Sequence, residues 1–423
     1  MSSSDSLHSR ALSWRRSLND LANATSTMAD RASHDQAPKL TVAIPFDHSG
    51  AWAAQTSFLR SVAVSMEGVR HPHGRILVLN LSGEEVAQTL AADLRDLMVE
   101  VDRDVWHNAE QRGALLASLG IDCVLNLFGP PPEVTNVGLV GWIADFQHFR
   151  LPQFFSVKEA TARDEIFADT IARCGRVMLS SRDAERDCLR FEPAARGKTR
   201  VHSFPSGLVF QSLPKAGKVS VVDKYHLPEK FVLVANQFWG HKNHITIVEA
   251  ARLLRERGIE IPIVMTGLPS DYRDPLNSLV SKVLQGIAAG GLRQTVIPLA
   301  QVPYADLVGL LRHAALIVQP SSFEGWSTTV QDGKALGRPV ACSSIALHRE
   351  QAPDAVGFFG PTSPGELADV LERVWPSLTV GPDTGLEVRA LAEERLFAQN
   401  YGAALWRTCA EAASVVKAAA ISD

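Results

Sequence analysis

Short runs of apolar residues alternate with stretches of helical periodicity along most of the chain. Continuous apolar runs of roughly four to eight residues predict strands that are buried on both faces of a parallel sheet. Helical periodicity predicts helices at 51–66 and 84–97, and a third helix that begins at Arg182. In the first half of the chain the predicted strands are KLTVAIPF (39–46), GRILVLNL (74–81), IDCVLNLF (121–128), VGLVGWIADF (137–146) and RVMLSS (176–181).

The alternation restarts after a polar stretch that contains two prolines, near 213–229. Predicted helices occupy 243–257, 271–289, 304–312 and 328–336. The predicted strands of this half are FVLVANQF (231–238), IPIVMTG (261–267), QTVIPLA (294–300), ALIVQPS (315–321) and RPVACSS (338–344). Two such series predict an α/β protein with two doubly wound, Rossmann-like domains, in which ligands bind at the carboxyl ends of the strands.

The pattern also gives domain bounds. We predict a polar N-terminal tail at 1–38, a first domain at 39–212, a linker at 213–229 and a second domain at 230–385. The remaining residues, 386–423, are predicted to be helical and able to cross back to the first domain.

Composition narrows the class of protein. The chain has 423 residues, of which 46% are hydrophobic and 21% charged, so a large buried core is available. The net charge of -4 gives no support for a nucleic-acid partner. Five scattered cysteines without metal spacing, and charges where a signal peptide needs its apolar centre, predict a cytoplasmic protein with reduced thiols. No apolar run is long enough to span a membrane. Peripheral contact with the inner face of a membrane and the oligomeric state stay open.

Two acids flank a predicted helix start in the second half. Glu324 follows an apolar strand, and Asp332 lies eight residues later, about one turn inside the helix. Between them, Gly325 permits close approach of a ligand, and Ser327 and Thr328 add hydroxyls at the dipole end of the helix. This arrangement suits a nucleotide sugar, with its ring hydroxyls, pyrophosphate and ribose diol. The alternative is a solvated loop acid with ordinary helix-capping hydroxyls.

The stretch PSSFEGWSTTVQDGKALGRPV (320–340) resembles the donor-site motif of GT-B-fold, retaining glycosyltransferases of family 4, also called glycosyltransferase group 1. The resemblance implies that Glu324 contacts the transferred sugar and Asp332 the ribose, although the family has Glu at the second position. It extends the expected donor contacts to four neighbouring residues, namely Gly325, Trp326, Ser327 and Thr328.

A second stretch, VLVANQFWGHKNHITIVEAARLL (232–254), resembles the family's first strand, loop and helix of the donor domain. There an Arg and a Lys contact the pyrophosphate, and Lys242 fits the Lys position. The Arg position is Gln237, or Asn236 in a looser alignment, and neither side chain carries charge. His241 or His244 is a candidate for part of the missing charge. The alternative for Lys242 is an exposed lysine at a helix start.

Two weaker resemblances complete the expected donor side. IVMTG ends at Gly267, which in the family faces the phosphates. The backbone at Gln301 and Val302 corresponds to the segment that reads the nucleotide base.

The acceptor is expected on the first domain. The loop PFDHSGAW (45–52) contains Gly50, where the family has a glycine-rich loop, although an ordinary strand–turn–helix connection explains it equally well. GWIADFQHFRLPQFFS (141–156) resembles bacterial members that act on cell-surface glycans. The resemblance places His148 near the sugar or acceptor. The structural alternative is a histidine bonded to backbone in an aromatic core. The neighbouring acceptor-side candidates are Asp145, Gln147 and Arg150.

The resemblance implies a retaining, metal-independent glycosyltransferase that needs no cofactor and uses a nucleoside-diphosphate sugar as donor. The acceptor would be a glycan or a lipid-linked hydroxyl. No Asp-x-Asp motif stands where a cation could bridge the pyrophosphate. Two other functions stay open, namely a GT-B-like scaffold that has lost catalysis and a nucleotide-sugar epimerase.

Overall fold

The computed structural model describes residues 39–47, 55–69, 73–83, 92–211 and 220–422. The expectations for the tail at 1–38, for Gly50, for the first parts of the helices at 51–66 and 84–97 and for linker residues 213–219 lie outside these ranges. We call the described residues up to 211 the first unit and residues 220–383 the second unit.

The first unit contains a sheet of seven parallel strands in the order β3-β2-β1-β4-β5-β6-β7. The strands are β1 (Leu40–Phe46), β2 (Gly74–Asn80), β3 (Met98–Glu100), β4 (Cys123–Asn126), β5 (Gly138–Ile143), β6 (Arg176–Leu179) and β7 (Thr199–Val201). The helices are α1 (Gln55–Gly68), α2 (Arg103–His107), α3 (Ala109–Ser118), α4 (Gln147–Arg150), α5 (Val157–Arg173) and α6 (Arg182–Phe191).

The second unit contains six parallel strands in the order β10-β9-β8-β11-β12-β13. The strands are β8 (Val232–Ala235), β9 (Ile263–Thr266), β10 (Val296–Leu299), β11 (Leu316–Gln319), β12 (Val340–Ser343) and β13 (Gly357–Phe359). The helices are α7 (Val221–Lys224), α8 (His244–Glu256), α9 (Ser278–Ala289), α10 (Tyr304–His313), α11 (Thr328–Ala335), α12 (Ala346–Gln351) and α13 (Pro364–Val374). Two doubly wound sheets confirm the predicted α/β class.

Local sequence explains several element boundaries. Every residue of β1 is buried, as its mostly apolar run predicts. Ser156 begins α5 with a capping box, in which its hydroxyl accepts from the Glu159 N–H and the Glu159 carboxylate accepts from the Ser156 N–H. Ser181 caps α6 by accepting from the Ala184 N–H at 3.0 Å, which confirms the predicted start at Arg182.

Two predicted helices are wrong in part. The helix predicted from 271 begins only at Ser278, because Asp271 and Asp274 form an isolated bridge and organise residues 271–277 as a loop. The last residues of the helix predicted at 84–97, Ala92–Leu97, form a 3-10 turn instead of an α-helix. Strands β3, β7 and β13 were not predicted, and neither were the helices α2, α3, α4, α5, α7 and α12. Most of these elements are short, and their apolar positions are few or irregular.

The last helix, α14 (Thr384–Ser422), packs against the first sheet. Six of its side chains between Tyr401 and Ala413 belong to the apolar core that includes β1. The Trp406 indole N–H donates to the Met66 carbonyl at 2.9 Å. In the described ranges, no helix has the length and apolar content needed to cross a membrane.

Candidate functional site

Two loops meet at the carboxyl end of the second sheet, where β8 and β11 are neighbours. The first is the donor loop, residues 236–243, between β8 and α8. The second, residues 320–327, follows β11 and leads into α11. Because parallel strands end at the same edge of a sheet, residues far apart in sequence come together there.

The centre of this meeting point is an ion pair between Lys242 and Glu324. Lys242 Nζ lies 2.6 Å from Glu324 Oε1, and the two side chains are 17% and 7% exposed. A positive charge at the beginning of α8 is unfavourable, because it lies at the positive end of the helix dipole. The Glu324 carboxylate offsets this unfavourable interaction. The sequence-based alternatives of a solvated acid and an exposed surface lysine are therefore wrong.

The ion pair keeps Glu324 ionised despite its burial. Burial disfavours the carboxylate, but the charge of Lys242 and hydrogen bonds from Lys242 and Ser321 together outweigh it and lower the pKa of Glu324 below its ordinary value. Glu324 is thus a fixed negative charge at neutral pH, and its strongest partner is the Lys242 ammonium group.

A buried amide relay fixes the orientation of Glu324. Gln319 at the end of β11 donates from Nε2 to Glu324 Oε1 at 2.8 Å and to Ser321 Oγ at 3.1 Å. Its Oε1 accepts from Asn236 Nδ2 at 2.8 Å. Gln319 and Asn236 are 1% and 6% exposed. The relay links the ends of β8 and β11, and Gln319 was missed because a single amide inside an apolar run gave no separate signal.

The donor loop turns sharply before α8. Asn243 has a φ of 58°, and its Nδ2 donates to the Pro320 carbonyl at 3.1 Å and the Pro361 carbonyl at 2.6 Å. These bonds stabilise Asn243 in its left-handed backbone conformation directly after Lys242. Burial lowers the pKa of His241 and that of His244 to about 3. Both imidazoles are neutral at pH 7, so neither replaces the missing arginine charge.

Two glycines in the site allow close approach of backbone. At Gly267, an added Cβ would collide with the Asn236 carbonyl. At Gly325, an added Cβ would lie 2.7 Å from the Ala144 carbonyl oxygen and 2.9 Å from Asp145 Cβ in the first unit. Gly325 therefore lies at the contact between the two units rather than on open surface.

The start of α11 is partly occupied by protein groups. Ser327 is the N-cap, with Oγ accepting from the Val330 N–H at 3.4 Å, and its own N–H donates to Gln351 Oε1 at 3.1 Å. Thr329 donates its hydroxyl to the Ala235 carbonyl at 2.7 Å. Of Ser327, Thr328 and Thr329, only Thr328 is exposed.

The remaining donor-side candidates are dispersed. Trp326 packs against the core of the first unit and donates its indole N–H to the Phe204 carbonyl at 3.0 Å. Gln237 is half-buried in the donor loop, and Gln301 and Val302 lie in the loop between β10 and α10. For Gln301 and Val302, only the backbone is expected to contact the nucleotide base.

Asp332 contacts the C-terminal end of the first unit. Its Oδ1 accepts from the Ser206 hydroxyl at 2.6 Å. Burial, opposed by this bond and reinforced by nearby Glu394, raises the pKa of Asp332 to about 7. Glu394 of α14 also accepts from the Ser206 N–H at 2.6 Å and from Gln331 Nε2. This acid network was not predicted, because its members lie far apart in sequence.

We expect Asp332→Asn to gain stability relative to wild type as pH rises. A raised folded pKa means that the wild-type protein loses stability between the ordinary pKa of 3.8 and about 7. Asn can still accept from Ser206 and carries no charge. The variant should be about 1–3 kcal/mol more stable than wild type at pH 8 and nearly equal at pH 4, measured by urea unfolding. An equal difference at both pH values would contradict the raised pKa.

The acceptor-side candidates of the first unit follow β5. His148 is 4% exposed, its Nε2 lies 2.9 Å from Asp164 Oδ1, and its ring packs against Phe155 and Phe167. Its Nδ1 has no hydrogen-bond partner among the described residues. The structure thus places His148 in an aromatic setting, bonded to a carboxylate and not to backbone.

The other three candidates serve different contacts. Asp145 accepts from the Gln147 N–H at 2.9 Å, and Gln147 Oε1 accepts from Arg273 of the second unit at 3.3 Å. Arg150 binds Asp187 at 2.8 Å within the first unit. Asp145 and Gln147 therefore lie at the junction of the units, whereas Arg150 is engaged in an ion pair within the first unit.

Residues 223–375 match the family model described as glycosyl transferases group 1. Over 184 residues the chain is 29% identical to a D-inositol 3-phosphate glycosyltransferase of Arthrobacter sp. (strain FB24). That alignment covers 42% of this chain and 39% of the relative, so the match spans about two fifths of the curated relative's length.

Solved structures share the fold at low identity. A glycosyltransferase from Rickettsia africae aligns with a TM-score of 0.59 and 15% identity, over 86% of this chain and 96% of that one. Anabaena Alr3699/HepE in complex with UDP and glucose aligns with a TM-score of 0.58 and 13% identity, over 85% and 95%. At these identities the likeness concerns the fold, and it confirms the predicted GT-B architecture.

Proposed function

We propose that this protein is a glycosyltransferase. The premise is that residues 223–375 form a group 1 glycosyltransferase domain within a GT-B fold. The donor is a nucleoside-diphosphate sugar, and the acceptor is a hydroxyl of a glycan or of a lipid-linked glycan. Transfer retains the configuration at the anomeric carbon and needs no metal ion.

The observation that carries the proposal is the Lys242–Glu324 pair at the carboxyl ends of β8 and β11. A pyrophosphate leaving group develops negative charge, and a fixed cation beside it stabilises that charge. Glu324, ionised and oriented by Gln319, is suited to accept hydrogen bonds from sugar hydroxyls. Lys242 is thus suited to the pyrophosphate of the donor, and Glu324 to its sugar.

The other residues receive proposed roles around this pair. Gln237 and the backbone at Gly267 and Thr328 bind phosphate oxygens, and the backbone at Gln301 and Val302 binds the base. Asp332 binds the ribose after releasing Ser206. Acceptor contacts are proposed for Gly50, Asp145, Gln147, His148 and Arg150, with the domain bounds as the sequence predicts them.

The reaction balances without a protein base. The bond between the anomeric carbon and the phosphate oxygen breaks, and the acceptor oxygen bonds to the same face of the sugar. The departing phosphate oxygen takes the acceptor's proton, so the products are the glycoside and the nucleoside diphosphate. Lys242 stabilises the phosphate charge, and contact between the units excludes water.

The proposed location is the cytoplasm. All five cysteines are unpaired and buried, which agrees with a reducing compartment.

Thermal unfolding with UDP, GDP, ADP, CMP and dTDP tests the proposal. A ligand at about 100 times its dissociation constant adds about 2.7 kcal/mol of stability. UDP is the first candidate, because the Anabaena HepE structure contains it. Stabilisation by one of these nucleotides supports the donor site and selects the sugars to test for transfer.

Position 237 is a glutamine where the resembled family has an arginine. This difference favours one competing function, a scaffold that has lost catalysis. A folded protein that responds to no nucleotide would support the scaffold. Conversion of a nucleotide sugar without an acceptor would instead support an epimerase.

A further inference from the structure

Arg273 joins the two units. Its guanidinium carbon lies 5.2 Å from the ring centre of Trp239 and 5.3 Å from those of Tyr272 and Phe155. Trp239 and Tyr272 belong to the second unit, and Phe155 to the first. The Arg273 side chain is only 7% exposed, so the cation is held between rings rather than in water.

The polar contacts of Arg273 reach both the donor loop and the first unit. Its Nε donates to Asp271 Oδ1 at 3.1 Å, and Asp271 Oδ2 accepts from the Gly240 N–H of the donor loop at 3.3 Å. Its Nη1 donates to Gln147 Oε1 of the first unit at 3.3 Å. One side chain therefore contacts an acceptor-side candidate and, through Asp271, the backbone two residues before Lys242.

A neighbouring contact reinforces this link. The ring of Phe154, from the first unit, lies so close to Gly240 that an added Cβ would collide with it. The donor loop is therefore packed from the first-unit side at Gly240 and bonded from the second-unit side by Asp271. We call Phe154, Phe155, Trp239, Asp271 and Arg273 the clasp.

We propose that Arg273 is a positioning residue that couples closure of the two units to the conformation of the donor loop. Separation of the units would split the contacts of Arg273 with Phe155 and Gln147 and would uncover Gly240. The donor loop, and with it Lys242, would then lose its support on one side. The link to nucleotide binding rests on the proposed function, whereas the clasp itself does not.

A distance measurement tests the clasp without any ligand. Spin labels are attached at Val157→Cys and Leu276→Cys, which replace side chains 84% and 86% exposed in the first and second units. The five native cysteines are buried. Arg273→Met, which keeps the apolar stem and removes the charge, should shift the distance distribution to longer values. Arg257→Met is the matched control, since Arg257 pairs with exposed Asp369 and Glu372 within the second unit.

Phe155→Leu provides a second variant that leaves the Arg273–Asp271 bond intact. It should produce the same shift, so the test survives if Arg273→Met fails to fold. An unchanged distance distribution in a folded variant of either residue would overturn the clasp.

Titration with UDP tests the coupling. Arg273→Met should weaken binding about 5- to 10-fold, and Arg273→Lys, which keeps the charge near Asp271 and the rings, should recover part of it. Longer distances with unchanged UDP affinity would overturn the coupling. If the wild-type protein binds none of the five nucleotides, the proposed function fails, and the distance measurement still decides whether the clasp exists.

Discussion

Replacing Glu324 by Gln is expected to lower the turnover number about 10²- to 10³-fold while the protein stays folded. Gln keeps a similar shape and can still accept from Lys242 and Gln319, so the loop should hold. The charge, however, is lost, and with it the strong hydrogen bonds that an ionised carboxylate makes to sugar hydroxyls. The measurement is release of nucleoside diphosphate from the donor that the thermal panel selects.

Two further variants are compared with Glu324→Gln. Glu372→Gln is the control, because Glu372 is half exposed and pairs with Arg257 on the surface of the second unit. Glu324→Ala should also lose activity and, since Lys242 is left without its partner, cost about 3–5 kcal/mol of stability. Full turnover in folded Glu324→Gln would remove Glu324 from the reaction.

Replacing Lys242 by Met is expected to weaken binding of the nucleoside diphosphate about 10- to 100-fold. The loss corresponds to one charge-assisted hydrogen bond, about 1.5–3 kcal/mol. Lys282→Met is the control, because Lys282 is an exposed lysine on α9. Equal affinities of wild type and Lys242→Met, measured by calorimetry, would show that Lys242 does not contact the phosphates.

The Lys242 variant also has an expected pH dependence. In the wild type the lowered pKa of Glu324 contributes stability above the ordinary value of 4.5, and this contribution is lost as pH falls through the folded pKa. Without Lys242, burial raises the pKa of Glu324 instead, so the ionised carboxylate costs stability near neutral pH. The stability difference between wild type and variant should therefore grow from pH 4 to pH 7.

A double variant separates the charge from the contact. Lys242→Met combined with Glu324→Gln removes both charges, so it should be more stable at pH 7 than Lys242→Met alone. Its unfolding free energy should also lose the pH dependence of the single variant. A stability difference between wild type and Lys242→Met that is independent of pH would contradict the lowered pKa of Glu324.

Sequence periodicity was sufficient for most strands and poor for weakly patterned elements. Buried, mostly apolar runs such as β1 and β11 were predicted because burial on both faces leaves a local signature. The helix expected from 271 was misplaced because Asp271 and Arg273 make tertiary contacts that override helical propensity. Arg273 itself gave no signal, since nothing in its local sequence reveals three aromatic rings from two units.

The sequence by itself determined the two doubly wound sheets and the placing of Glu324, Lys242 and Asp332 after or beside strand ends. Those features follow from local burial patterns and from motif spacing. Only the tertiary structure decided which side chains pair, because the partners of Lys242 and Asp332 lie 82 and 126 residues away along the chain. Pairing of that kind depends on strand order and on packing between the units, which set the local burial and charge that fix each pKa.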